Sequence, residues 1–133
     1  MRIASVALLA AIAAAAPVPG LAQQPPTENK GMKADVLSSY ALGKQGLDDY
    51  TRRQIRMRRI TVEPGGVVGF HSHGQRPALT YVLSGALTEH RKGAPDRTYN
   101  PGEVLTESTD VDHWAENKTG EPVVLISVDL FKQ

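Results

Sequence analysis

Short runs of apolar and β-branched residues, separated by turn signals, fill the chain from about residue 50 to its end. The turns are marked by glycine and proline clusters, such as PGG at 64–66 and NPG at 100–102. No helical period appears between these runs. Short strands at this spacing are typical of a β-sandwich or β-barrel. The pattern therefore predicts an all-β domain with the strand-like runs RQIRMRRITV, ALTYVL, ALTEHR, RTY and PVVLISVDLF.

The N-terminal end of the chain has a different pattern. Arg2 precedes an unbroken apolar run at 3–16, and the small residues of 20–22 offer a cleavage site before residue 23. This layout is typical of a secretory signal peptide, and the run is shorter than the roughly 20 residues of a membrane-spanning helix. The mature protein is therefore expected in the periplasm or outside the cell, without stable membrane insertion after cleavage.

The chain is accordingly divided into three parts. Residues 1–22 are predicted to be a signal peptide, and residues 23–35 a disordered lead-in that contains QQPPTENKG. Residues 36–133 are predicted to form a single domain, which is long enough for one hydrophobic core.

Charge and cysteine content narrow the class of protein. Without Arg2 the mature chain has equal numbers of basic and acidic residues, so nothing indicates a nucleic-acid partner. The chain contains no cysteine, which excludes a disulfide framework and a lipid anchor on an N-terminal cysteine.

Two of the four histidines, His71 and His73, are separated by one residue. Residues i and i+2 of a strand point to the same side, and imidazole is a common ligand of divalent transition metals. The pair could thus hold one ion, although two histidines so spaced are more often part of a solvated strand face. His90, on another strand, is predicted to be a surface residue.

The spacings around these histidines and His113 resemble the two sequence motifs of the cupin superfamily, which are small β-barrels with a metal in the barrel mouth. The first motif, G-x5-H-x-H-x4-E-x6-G, corresponds to Gly65, His71, His73, Ala78 and Gly85. The second motif, G-x5-P-x-G-x2-H-x3-N, corresponds to Gly102, Ser108, Asp110, His113 and Asn117. The resemblance implies a single-domain jelly-roll barrel of the cupin type.

The resemblance also implies one divalent transition metal ion, held by His71, His73 and His113. Ala78 stands where cupins have a glutamate ligand, and its methyl group has no donor atom. Three imidazoles remain a competent site for Fe, Mn, Zn, Cu or Ni. Gln75 is the candidate for a fourth ligand or for a hydrogen-bond partner of a bound water. Two nearby carboxylates, Glu89 and Glu103, are expected to face solvent.

Arginines are concentrated in the segment 52–59. The alternation of Ile55 and Met57 with Arg56 and Arg58 predicts a half-buried strand with a solvated basic face. In a second interpretation, Arg56 or Arg58 points into the barrel and binds a substrate carboxylate. The doubled arginine at 58–59 breaks the alternation, so a β-bulge there could redirect one of them.

Three functions follow as hypotheses. The first is a metal-dependent oxygenase or related oxidoreductase that acts on a small organic molecule. The second is a non-catalytic module that binds or senses a small ligand, which the absence of the glutamate favours. The third, a metal-free epimerase-like cupin with Tyr81 or Tyr99 as acid or base, does not explain the three histidines. The resemblance also implies a homodimer.

Overall fold

The computed structural model describes residues 24–132, so the predicted signal peptide lies outside the described residues. Apart from two short 3₁₀ helices, Gly43–Gln45 and Asp48–Tyr50, the regular structure is β-strand. The strands are β1 (Lys30–Ala41), β2 (Arg53–Ser72), β3 (Ala78–Ser84), β4 (Leu87–Arg91), β5 (Arg97–Tyr99), β6 (Val104–Glu107), β7 (Asp112–Glu116) and β8 (Val123–Lys132). The prediction of an all-β domain is confirmed.

The strands form one sheet that curls into a nearly closed barrel with the order β5-β4-β7-β2-β8-β3-β6, and β1 pairs with β2. Except for β4 and β5, the strand neighbours in this order are not consecutive in sequence, which is typical of the jelly-roll arrangement. Part of the barrel interior is packed with apolar side chains, and nine buried residues form this core: Ile60, Val62, Val82, Leu87, Tyr99, Leu105, Ala115, Val123 and Leu125. Among residues 24–132, no helix has the length and apolar character needed to cross a membrane.

Strand β2 is long enough to belong to two parts of the barrel wall. Residues 53–62 pair with β8, and residues 67–72 pair with β7. The PGG segment, which the sequence pattern predicts as a turn between strands, is a bend within β2 instead. Gly65 takes a positive φ of 69° there, a conformation that favours glycine. The bend carries β2 from one side of the barrel to the other.

The N-terminal boundary differs from the prediction. Strand β1 begins at Lys30, so residues 30–35 belong to the sheet and not to a disordered lead-in. Their backbone groups pair with β2, and this pairing offsets the weak apolar pattern of the segment.

The residues just before β1 also pack on β2. The Phe70 N–H donates to the Pro26 carbonyl at 2.6 Å, and the Gly69 N–H donates to Asn29 Oδ1 at 2.9 Å. A Cβ atom at position 69 would lie 2.7 Å from the Thr27 carbonyl oxygen, so the close approach requires glycine. This N-terminal cover, residues 26–29, lies over the second half of β2.

Candidate metal centre

Three histidine side chains converge inside the barrel. His71 and His113 are direct partners in the β2–β7 pairing, and His73 follows two residues after His71. The three Nε2 atoms are 3.0, 3.1 and 3.2 Å from one another. His73 and His113 are each only 2 % exposed. The sequence therefore identified three residues that the fold brings to one point.

The other ring nitrogen of each histidine has a hydrogen-bond acceptor. Nδ1 of His71 donates to the Gly69 carbonyl at 2.8 Å, and Nδ1 of His73 donates to the Arg76 carbonyl at 2.9 Å. Nδ1 of His113 donates to Glu89 Oε1 at 2.5 Å. A neutral imidazole that donates through Nδ1 has an unprotonated Nε2. Three lone pairs thus face one another, an arrangement that a cation stabilises.

Burial favours the neutral form of these rings. Loss of solvation lowers the pKa of His71 to about 4, although the Gly69 carbonyl opposes the change. Loss of solvation also lowers the pKa of His73 to about 4, against the opposing effect of the Arg76 carbonyl. Both imidazoles are therefore neutral at neutral pH, so an incoming metal ion displaces no proton from them.

Glu89 is buried and contacts the Nδ1 atom of His113, contrary to the expectation that it faces solvent. It is 3 % exposed and accepts hydrogen bonds from His113, from Arg91 and, at 3.1 Å, from Tyr99 Oη. Burial raises the pKa of Glu89, but the hydrogen bonds from His113 and Arg91 outweigh it and hold that pKa at about 2. The carboxylate stays ionised, fixes the His113 ring and increases its basicity as a ligand.

Two sequence expectations concern the missing glutamate. Ala78 is buried at the start of β3 and offers no donor atom, as predicted. Gln75 is exposed in the turn between β2 and β3, so the structure does not bring it into the histidine cluster. The role of Gln75 as a fourth ligand or as a hydrogen-bond partner of a bound water therefore stays a prediction, and the turn that follows His73 places the residue at the surface.

A carboxylate that the sequence analysis missed lies beside the histidines. Glu107, at the end of β6, is 7 % exposed, and its Oε1 lies 3.6 Å from His113 Nε2 and 3.8 Å from His73 Nε2. Burial raises the pKa of Glu107, against the opposing effects of His113 and a hydrogen bond from Thr80.

The histidines and Glu107 open into a cavity of about 300 Å³. Its wall is mainly apolar, with polar atoms concentrated at the histidines and at two arginines. Such a cavity suits a small molecule held by a few directed polar contacts. The lining also includes Thr27 and Asn29 of the N-terminal cover.

The arginines of β2 face inward, opposite to the solvated basic face that the alternation predicts. Arg56 and Arg58 pair with Asp129 and Ser127 of β8, in the same parity as the core residue Ile60. The β2–β8 register is continuous through this segment, and the irregularity opposite Arg58 lies in β1, between Val36 and Ser38. The inward interpretation is therefore correct, because the core residues after Arg59 fix which side of the strand is inside.

Asp129 holds the arginines in a cluster. Its side chain is fully buried and accepts hydrogen bonds from Arg56 at 2.8 and 3.1 Å, from Arg58 at 3.0 Å and from Arg76 at 3.1 Å. Arg58 and Arg76 line the cavity, whereas Arg56 lies against the Phe131 ring, 4.2 Å from its centroid. The buried Nε of Arg58 has no hydrogen-bond partner among the described residues. One carboxylate thus neutralises three guanidinium groups only in part.

The fold and the site together define a small jelly-roll barrel with a three-histidine centre at one end of its cavity. A model of the cupin domain matches residues 58–129, which is more than half of the chain. The protein therefore belongs to the cupin family. No curated protein sequence matches this chain significantly.

Solved structures show the same fold. A "predicted oxalate decarboxylase" from Thermotoga maritima has a TM-score of 0.60 and 20 % identity, over 81 % of this chain and 94 % of that one. KdgF from a Halomonas species has a TM-score of 0.59 and 16 % identity, over 77 % and 82 %. The cupin domain of a transcriptional regulator from Enterobacter cloacae has a TM-score of 0.55 and 19 % identity, over 78 % and 100 %. At these identities the likeness establishes the fold alone.

Proposed function

We propose that this protein is an exported, metal-dependent cupin enzyme, an oxygenase or related oxidoreductase that acts on a small anionic molecule in the periplasm or outside the cell. The observation that carries the proposal is the convergence of three histidine Nε2 atoms at one end of the barrel cavity. Their spacing fits the separation of roughly 3.0–3.4 Å between neighbouring ligands of an ion bound at about 2.1 Å. His71, His73 and His113 would hold that ion.

The remaining residues of the site would bind and orient the substrate. A bound divalent ion supplies Lewis-acid chemistry and, for Fe, Mn or Cu, redox chemistry. Arg58 and Arg76 supply positive charge on the cavity wall, which attracts an anion. The apolar side chains Leu87, Leu105 and Leu125 exclude water, which strengthens both interactions.

The second candidate is a binding or sensing module without turnover. Ala78 favours it, because the position has lost the carboxylate that enzymes of this family pattern use as a ligand. Both candidates predict binding of a small anionic molecule, but only the enzyme predicts formation of a product.

Metal-dependent turnover tests the proposal. The chain from residue 23 is loaded separately with Fe, Mn, Zn, Cu and Ni, and oxygen uptake and product formation are measured with small carboxylates, thiols, flavonoid-like phenols and dicarbonyls. We expect turnover of an anionic member with one ion and none after chelation. A ligand-induced rise in melting temperature without turnover would instead support the binding module, and an absence of bound metal would exclude both metal-dependent forms.

A matched pair of variants tests the role of the arginine. Arg58→Met should raise KM or Kd for the anion about 10- to 100-fold, since a hydrogen bond to a charged group contributes about 1.5–3 kcal/mol. Arg59→Met removes the same charge from the exposed side of the same strand and should leave these constants unchanged.

We also propose a homodimer, supported by the apolar outer face of the barrel. Leu79 is 57 % exposed, and Tyr81, Leu83 and Val104 are further exposed apolar side chains of β3 and β6. Tyr81 pairs with Val104 on one side, and Leu79 pairs with Val128 on the other. Monomers rarely expose apolar patches of this extent.

Light scattering of the mature chain should therefore give twice the mass of one chain. Leu79→Lys with Leu83→Lys should produce monomers, because two buried charges at the interface would lack partners. Glu121→Lys, on an exposed loop outside this face, should remain dimeric. A wild-type chain that is monomeric at micromolar concentration would contradict the proposal.

A further inference from the structure

Strand β6 pairs with β3 and carries a carboxylate at the position opposite Ala78. Ala78 at the start of β3 is the direct partner of Glu107 at the end of β6. Directly opposed residues of an antiparallel pair point to the same face, with Cβ atoms about 4.5–5.5 Å apart. Glu107 therefore enters the cavity from the strand next to the one that bears Ala78.

The two oxygens of Glu107 have different surroundings. Oε2 accepts a hydrogen bond from Thr80 Oγ1 at 2.9 Å, which fixes the side chain. Oε1 lies 3.6 and 3.8 Å from the Nε2 atoms of His113 and His73, too far for a hydrogen bond. Oε1 thus faces two ring nitrogens of the histidine cluster without a hydrogen bond to either of them.

A buried carboxylate oxygen needs a partner, and so do the three lone pairs beside it. One divalent cation between them satisfies all four groups. Oε1 lies 3.6 and 3.8 Å from two of the three nitrogens, whereas Glu107 lies outside the group of side chains whose ligand atoms are all within 4.8 Å of one another. The glutamate must therefore rotate toward the histidines to share one ion with all three of them.

We propose that Glu107 is the carboxylate ligand of the metal centre and fills the role that Ala78 cannot fill. This inference rests on the proposed metal site. It changes the chemistry of that site from three neutral ligands to three imidazoles and one carboxylate, with one positive charge neutralised. A carboxylate ligand suits harder ions such as Mn²⁺ and Fe²⁺ better than three imidazoles alone.

Metal affinity measured in competition with a chromophoric chelator tests the inference without any assay of activity. Mn²⁺, Fe²⁺ and Zn²⁺ are titrated separately into the metal-free mature chain. Glu107→Gln and Glu107→Ala should weaken binding of the tightest ion about 10- to 100-fold. Glu63→Gln removes one negative charge from an exposed position of β2 and should bind as the wild type does.

A double variant separates loss of the carboxylate from loss of the fold. Ala78→Glu combined with Glu107→Ala exchanges the side chains of two opposed positions, so the packed volume is conserved. The exchange should restore most of the lost affinity. Melting temperatures of the metal-free variants report whether each one is folded.

The outcomes distinguish this inference from the function on which it rests. Wild-type affinity in folded Glu107→Gln and Glu107→Ala overturns the role of Glu107 and leaves the three-histidine site intact. A wild-type chain that binds none of the ions overturns the metal site itself, and the inference with it.

Discussion

Replacing His113 with alanine is expected to weaken metal binding by at least about 100-fold, so that the purified protein retains no stoichiometric ion. The substitution removes one of the three converging Nε2 atoms, and the two remaining imidazoles come from one strand. It also leaves Glu89 without the ring that it orients. Metal analysis of protein purified without chelator, followed by titration, measures the loss. His71→Ala should behave in the same way.

His90 provides the matched control. It is the remaining histidine of the described chain, and it lies outside the cavity, stacked on Trp114 with 3.8 Å between ring centroids. His90→Ala should therefore retain the full amount of metal. Equal metal content in His113→Ala and His90→Ala would show that the ion is bound elsewhere, and thermal unfolding of the metal-free variants would show that each one folds.

The second large effect is on stability. Asp129→Ala should lower the free energy of unfolding by about 3–5 kcal/mol, the usual result of removing one partner from a buried ion cluster. Asp129 is 1 % exposed, and its loss leaves three guanidinium groups close together without a counter-charge. Equilibrium denaturation in urea measures the change.

Asp35→Ala is the control for this variant. It breaks the pair of Asp35 with Lys33, which is exposed, and pairs of that kind contribute at most about 1 kcal/mol. A loss of less than 1 kcal/mol in Asp129→Ala would mean that water in the cavity solvates the arginines well enough to replace the carboxylate.

The same cluster gives stability a defined dependence on pH. Burial raises the pKa of Asp129, but the hydrogen bond from Arg56 and the charge of Arg58 outweigh it, so the net effect is a pKa below the ordinary 3.8. The stabilisation is therefore complete above pH 3.8 and is lost as the pH falls through the lowered value. Asp129→Asn should lack this acid-dependent loss, which urea denaturation across the acid range would reveal.

The residues that the sequence predicted correctly share a local signal. His71 and His73 are two positions apart on one strand, and the spacing of the cupin motifs brings in His113. The signal peptide and the cellular location remain predictions, because they concern residues or properties that the structure does not describe.

The errors concern properties that depend on strand pairing. Glu89 was expected in solvent, and Glu107 was not considered, because each one meets the histidines only through a neighbouring strand. The orientation of Arg58 was ambiguous for a related reason. Ile55 and Met57 lie on one face of β2, and Ile60 and Val62 lie on the other. Only the packing of Ile60 and Val62 in the barrel core determines which face is inside.

Under the proposed function, the N-terminal cover affects which molecule fits the cavity, whereas the three histidines determine the chemistry. Residues 26–29 precede the segment 58–129 that defines family membership, yet Thr27 and Asn29 line the cavity beside the histidines. Their attachment depends on Gly69, where any side chain would push the cover away from β2. Under the proposed function, changes in these few residues would alter which ligand fits the cavity and would leave the three histidines in place.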